Sequence, residues 1–161
     1  MARIKIAYVG GGSTRGAGTM ASFVEQAENF AGSEIVLIDL DPERLELVRR
    51  LAERYAQSRG ADLEITATTD RRAGLADADA VLSSYRPGGF EARVLDERIP
   101  LQHGVIGQET QGPGGFFMAL RSIHVMQAII ADMEAACPQA RLFNYTNPIN
   151  IVSEAIVHHG Y

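Results

Sequence analysis

"IKIAYVGGGSTRG", residues 4–16, joins a short apolar run rich in β-branched residues to three consecutive glycines and a serine–threonine pair. The run reads as a buried strand ending on glycine. Ser13 or Thr14 can cap a helix that begins directly after the glycines. A strand that turns tightly into a helix aims backbone amides and the positive end of the helix dipole at the space beyond the turn, which suits a pyrophosphate. Gly10 and Gly12 fill the first two places of the pattern G-x-G-x-x-G, Arg15 falls on the third, and Gly16 follows one place late. Gly10, Gly11 and Gly12 are therefore candidate contacts to the dinucleotide NAD, and Ser13 and Thr14 can add hydroxyl donors. With Arg15 in the third place, the helix is expected to pack more loosely than in an ordinary dinucleotide site.

Strand and helix patterns alternate outward from this turn. "EIVLIDLD" (34–41) reads as a second strand. Asp41 and Pro42 then open a helix as N-cap and first helical residue. Its apolar face is expected at Leu45, Val48, Leu51, Ala52 and Tyr55, with Gly60 as a left-handed stop. "LEITATT" (63–69) and "ADAVLSSY" (78–85) are the third and fourth strands, with only a turn around Gly74 between them. Residues 86–115 are dense in glycine and proline and suggest binding loops around a short helix near "EARVLDERIPL" (91–101). "FFMALRSIHVMQAIIADMEAAC" (116–137) is a long, apolar helix stopped by Pro138. "ARLFNYTN" (140–147) is the fifth strand, and Pro148 opens a last helix through "INIVSEAIVHH" (149–159).

Alternation of this kind implies an α/β fold: a Rossmann-like, doubly wound parallel sheet of about five or six strands with helices on both faces, formed by residues 1–161 as one domain. Ligands in such sheets bind beyond the carboxyl ends of the strands. "GGGSTRG", "YRPGGFEAR" and "NYTNPIN" fall at such ends or in the loops leading from them, so all three are expected along one edge.

The 161 residues carry a formal net charge of −5 and a single cysteine, Cys137. The acidic balance argues against nucleic acid as a partner and leaves no basic patch for a membrane surface. One cysteine permits no internal disulfide and suits the reducing cytoplasm. No apolar run is read as long enough to span a bilayer, and the N-terminus shows no cleavable leader.

Several side chains can carry chemistry. Asp39 ends the second strand, where a carboxylate accepts bonds from a ribose diol and disfavours a 2′-phosphate, so NAD is preferred to NADP. It follows Gly10 by 29 residues, more than the usual fingerprint spacing. Asp41 is better placed to cap the next helix, which leaves Asp39 free. Arg86 and Arg93 flank "PGG" and can grip a phosphate or carboxylate bidentately; Arg93 can equally be a surface residue paired with Glu91, Asp96 or Glu97. Glu109, in "GQET", can polarise a neighbouring group or cap the helix that follows. Asn144, Asn147 and Asn150 surround a strand end, where their amides can bond sugar hydroxyls, and Asn147 can also cap the last helix. His158 and His159 read as solvated residues at a helix end.

"VGGGST", "DLD", "TDRR", "GGFEAR", "DERIPL", "GVIGQETQGPGGFFMALR" and "NYTNPIN", in this order, resemble glycoside hydrolase family 4 over nearly the whole chain. That family contains 6-phospho-α- and 6-phospho-β-glucosidases, α-galactosidases and α-glucuronidases, and it is the NAD-dependent exception among glycosidases. The resemblance implies hydrolysis by oxidation at C3 of the sugar, abstraction of the C2 proton and elimination, with NAD regenerated in each turnover and Mn2+ or another divalent metal assisting. It implies 6-phospho-β-glucosides as the substrate and a homo-oligomeric full-length enzyme. Gly10 to Thr14 and Asp39 would hold NAD, Arg93 the sugar or its phosphate, and Asn147 the hydroxyls near the reacting carbons. Glu109 would support the catalytic tyrosine base. None of Cys137, His158, His159 or the five tyrosines sits where the family places its metal ligands and that tyrosine, so no metal ligand is expected here. The chain is expected to be the cofactor half of the enzyme, inactive alone. The rival readings are an NAD-dependent 2-hydroxy-acid dehydrogenase of the malate/lactate type, which "GQETQGPGG" argues against, and a non-enzymatic nucleotide sensor.

Overall fold

A computed structural model of the chain describes residues 3–160. Met1 and Ala2, which enter the reading of the leader, and Tyr161 lie outside the described residues. The elements are β1 (Lys5–Val9), α1 (Thr14–Glu25), a 3-10 turn (Ala27–Asn29), β2 (Ser33–Ile38), α2 (Pro42–Arg59), β3 (Leu63–Thr68), α3 (Arg71–Leu75), β4 (Ala80–Ser83), α4 (Gly89–Gln102), α5 (Gly112–Ala136), β5 (Arg141–Asn144) and α6 (Ile149–His159). The five strands form one sheet in the order β3-β2-β1-β4-β5. Its pairings are parallel, with Val9 opposite Ile38 on one side and Ser83 on the other. The winding reverses between β1 and β4, and Gly10 leaves β1 at that switch point, where doubly wound sheets take their ligands.

By contacts the chain divides into two compact units, Met1–Ser84 with Asp132–Phe143, and Tyr85–Ala131 with Asn144–Tyr161. The first holds the sheet. Its central strands β1 and β2 are largely buried on both faces, as parallel strands covered on both sides must be. Tyr8, Ile35, Leu37 and Ile65 face Met20 and Val24 of α1 and Leu45, Val48, Ala52 and Ala56 of α2. The alternate residues Ala7, Val9, Val36 and Ile38 are also buried. On that side Gly74 of α3 lies so close to Ile38 that a Cβ there would overlap its side chain.

Capping follows from local chemistry. Asp41 accepts from the amides of Glu43 and Arg44 at 3.1 Å, Pro42 is the first residue of α2, and Gly60 closes it at φ 63°. The face of α2 differs from expectation: Leu51 is 55% exposed and Ala56 takes its place. The interval before β4 is not only a turn. Asp70 accepts from the Ala73 amide and caps the five-residue α3. α4 is longer than the expected short helix because it starts at the "GG" of residues 88–89.

α5 corrects another expectation. Among the described residues it is the one helix long and apolar enough to cross a membrane by length and composition. The core helix of a folded domain passes the same test, and Met118, Met126, Ile129, Ile130 and Met133 are each at most 2% exposed. Its Asp132 is buried and receives Arg71 Nε and Arg72 Nε, each at 2.6 Å. Burial works to raise the Asp132 carboxyl, but the hydrogen bonds from Arg72 and Arg71 outweigh it and hold the group below the usual carboxylate range. A depressed folded value means that this contribution is present above the unfolded value, about 3.9, and is lost as pH falls through the folded one. Asp132→Asn is therefore expected to cost about 1–3 kcal/mol at pH 7. The difference from wild type, followed by urea unfolding, should shrink below about pH 4.

Candidate functional site

In the first unit the site is the turn between β1 and α1. Gly10 N and Gly11 N both donate to Ile38 O, at 2.8 and 3.1 Å, which ties the turn to the end of β2. Ser13 is the N-cap of α1: its Oγ accepts from Gly16 N at 3.1 Å and lies 2.9 Å from Gly10 O, to which it donates. Its one hydroxyl proton is thus used inside the turn, where Ser13 caps α1. Thr14 keeps an exposed hydroxyl. Among the described residues, the amides of Thr14 and Arg15 have no hydrogen-bond partner. These are the orphan donors of a helix start, and they suit an anionic group.

The late glycine also corrects the expectation of loose packing. Gly16 is buried against the turn, and a Cβ there would overlap the carbonyl oxygen of Gly11. Gly16 therefore provides the close approach that the third glycine of the pattern supplies elsewhere, while Arg15 is exposed. Asp39 is not free, because Gly12 N donates to its Oδ2 at 2.9 Å and Leu40 N to its Oδ1 at 2.7 Å. A carboxylate has about four lone-pair sites, so it retains acceptors for a ribose diol while these amides fix its orientation. A glycine turn without room for a Cβ, two unpaired amides and an oriented carboxylate fit a dinucleotide.

The second unit holds a separate cluster. Arg93 reaches Glu97 at 2.7 Å and Glu109 at 3.1 Å, and Arg86 lies 3.7 Å from Glu109. Arg93 thus takes one of its expected surface partners and also meets the other candidate, Glu109, 16 residues on. The hydrogen bond from Arg93 holds the Glu97 carboxyl below its ordinary value. Two of the five N–H donors of a guanidinium meet those acceptors, which leaves the side chain able to take a further anion. The Glu109 carboxylate faces these two arginines, while Gln108 Oε1 accepts from Thr110 Oγ1 and Gln111 N, both at 2.8 Å, in the turn before α5. Asp96, the other candidate partner of Arg93, is buried and paired with Arg121, Nη1 lying 3.1 Å from Oδ1.

Asn147 lies in the loop from β5 to α6. The N-cap of α6 is Pro148, with no side-chain cap bond, so Asn147 is not the cap. Its carbonyl accepts from Ser122 Oγ at 3.1 Å, while its side-chain amide has no partner among the described residues. Asn144 is committed locally, accepting from Thr146 N and donating to Ser153. Ser122, Tyr85 and Thr146, which hold these loops, escaped the sequence reading; a serine within an apolar helix stretch was their only signal.

Among the described residues no group of three or more His, Cys, Asp or Glu is placed to hold a metal ion. Cys137 is buried, and desolvation, with Asp77 adding to it, pushes its thiol up. His158 pairs with Glu154 on the exposed face of α6. The described residues thus do not fit a manganese site.

Sheet order, switch point and glycine turn together define a Rossmann-like α/β protein. Residues 5–160 match the family described as Family 4 glycosyl hydrolase, and the chain belongs to that family. The Bacillus subtilis (strain 168) protein named "Probable 6-phospho-beta-glucosidase" is 42% identical over 159 residues, covering 98% of this chain and 36% of that protein. A crystal structure of a 6-phospho-alpha-glucosidase from gut microorganisms, in complex with NAD and Mn2+, superposes with a TM-score of 0.91 at 36% identity, over 98% of this chain and 36% of that one. The 6-phospho-beta glucosidase of Thermotoga maritima with manganese, NAD+ and glucose-6-phosphate gives 0.83 at 31% identity, over 90% and 35%. The chain thus spans about a third of the length of these relatives. Membership of a hydrolase family sets aside the malate/lactate dehydrogenase reading.

Proposed function

We propose that residues 1–161 form the NAD-binding part of a cytoplasmic enzyme that hydrolyses 6-phospho-β-glucosides with the help of a divalent metal whose ligands lie elsewhere. The observation that carries this is the turn at α1, where unpaired Thr14 and Arg15 amides and an oriented Asp39 occur in a chain of this family. Gly10, Gly11, Gly12 and the Thr14 hydroxyl line the cofactor, and Asp39 takes the ribose. When bound, the nicotinamide supplies reversible hydride acceptance, so hydrolysis proceeds without net redox change. Arg93, with Arg86, takes the anionic end of the sugar. Glu109 holds both guanidiniums and supports the base, and the unpaired amide of Asn147 bonds the sugar hydroxyls. The 42% identity to the B. subtilis protein supports the β linkage.

Nitrophenyl α- and β-glucosides and their 6-phosphates, offered with NAD and manganese to the full-length gene product, test this reading. Hydrolysis of the β-linked 6-phosphate is expected, and preference for the α-linked one would overturn the assignment of linkage. Calorimetric titration of the 161-residue chain should show NAD binding. Asp39→Ala should weaken it about tenfold or more, as loss of hydrogen bonds to a charged group does. Equal affinity for NAD in the two proteins would remove Asp39 from the site.

A further inference from the structure

We propose that Ser122 is a positioning residue that sets Asn147 for the sugar, an inference resting on the substrate role given to Asn147 above. Ser122 is fully buried on α5. A helix serine ordinarily turns its hydroxyl back to the carbonyl four residues earlier or out to solvent. Here Oγ donates instead to the carbonyl of Asn147, at 3.1 Å. A buried hydroxyl costs stability unless it is bonded, and alanine would fill this place with better helix propensity. The hydroxyl is therefore explained by its acceptor, and the acceptor belongs to the residue whose side-chain amide is left open.

The same residue ties down the loop after β4. The Tyr85 hydroxyl donates to Ser122 O at 2.9 Å, and Tyr85 N lies 3.5 Å from Thr146 Oγ1 as its donor. Thr146 N donates to Asn144 Oδ1 at 2.9 Å, and Asn144 Nδ2 donates to Ser153 Oγ of α6 at 3.1 Å. A continuous set of hydrogen bonds thus runs from α5 through both loops to α6, all within the second unit. Such a network fixes a side chain through the backbone that bears it. Removing the Ser122 hydroxyl leaves the Asn147 carbonyl without that donor and lets its peptide turn, which relaxes the aim of the amide.

The test uses the full-length gene product and the β-linked nitrophenyl glucoside 6-phosphate, with Ser122→Ala, Ser122→Thr, Ser122→Cys, Asn147→Ala and the Ser122→Ala/Asn147→Ala double variant. Ser122→Ala is expected to raise KM by about threefold to tenfold, the loss of one hydrogen bond, while the dissociation constant of NAD stays within twofold. Ser122→Thr, which keeps the donor, should restore at least half of the loss. Ser122→Cys, with similar volume and a weak donor, should fall between wild type and alanine. The double variant should be no worse than Asn147→Ala alone, because Ser122 acts through that residue. A merely structural serine would give additive effects that track thermal stability, and that result overturns the inference. If Asn147→Ala raises KM and Ser122→Ala does not, this inference alone fails; if Asn147→Ala leaves KM unchanged, the substrate role of Asn147 fails with it.

Discussion

Replacing Gly16 with alanine is expected to remove NAD binding at a measurable cost in stability. The added Cβ would overlap the Gly11 carbonyl oxygen, a backbone atom that no rotamer change can move aside. Relief requires the turn to shift, and overpacking of this kind costs about 1–3 kcal/mol. The shift falls on the donors the cofactor needs, since Gly16 N and Gly10 O both bond the Ser13 hydroxyl. NAD affinity should drop by more than the roughly tenfold that one misplaced hydrogen bond produces. Gly18→Ala, two residues on in the same helix, is the control. Its Cβ would meet nothing within 4 Å, so it should stabilise the chain by about 0.5–1 kcal/mol and leave NAD binding unchanged. Urea midpoints and calorimetric titration of both variants read out the contrast. Wild-type affinity in Gly16→Ala would mean that the cofactor lies elsewhere.

Arg93→Met should raise KM for the glucoside 6-phosphate by about tenfold to a hundredfold, the range for losing a hydrogen bond to a charged group, and barely alter KM for the unphosphorylated glucoside. Methionine keeps much of the aliphatic stem and removes the fork. Arg93→Lys should recover only part of the loss, because a single ammonium cannot span Glu97 and Glu109 and still present a planar pair of donors. Equal losses on phosphorylated and free glucosides would show that Arg93 acts by holding Glu109 and does not take the phosphate.

The parts of this protein legible in its sequence are those whose physics is local. Strand and helix alternate in hydrophobic period, Asp41, Pro42 and Gly60 mark both ends of α2, and the three glycines after β1 announce a tight turn. α3 was hidden because five residues are too few to show a period, and Asp70, its cap, looks like any polar turn residue. Leu51 was misplaced on α2 because period alone admits two neighbouring stripes, and only the sheet chooses between them.

Candidate residues were visible as types, but their partnerships were not. Glu91, Asp96 and Glu97 all lie near Arg93 in sequence, but the packing of α4 against the loop before α5 selected Glu97, added Glu109 and sent Asp96 to Arg121. Asp39 looked free because the amide of Gly12, 27 residues away, meets it only once β1 and β2 are paired. Ser122 and Asn147 stand 25 residues apart with no pattern linking them. Order and type of the elements, the caps and the family motifs were thus determined by the sequence itself, since period, capping and turn chemistry act over a few residues. The choice of acceptor for each arginine, the close packing of Gly16 and the hold on Asn147 were decided by the tertiary structure, because each depends on groups that become neighbours only when distant segments fold together.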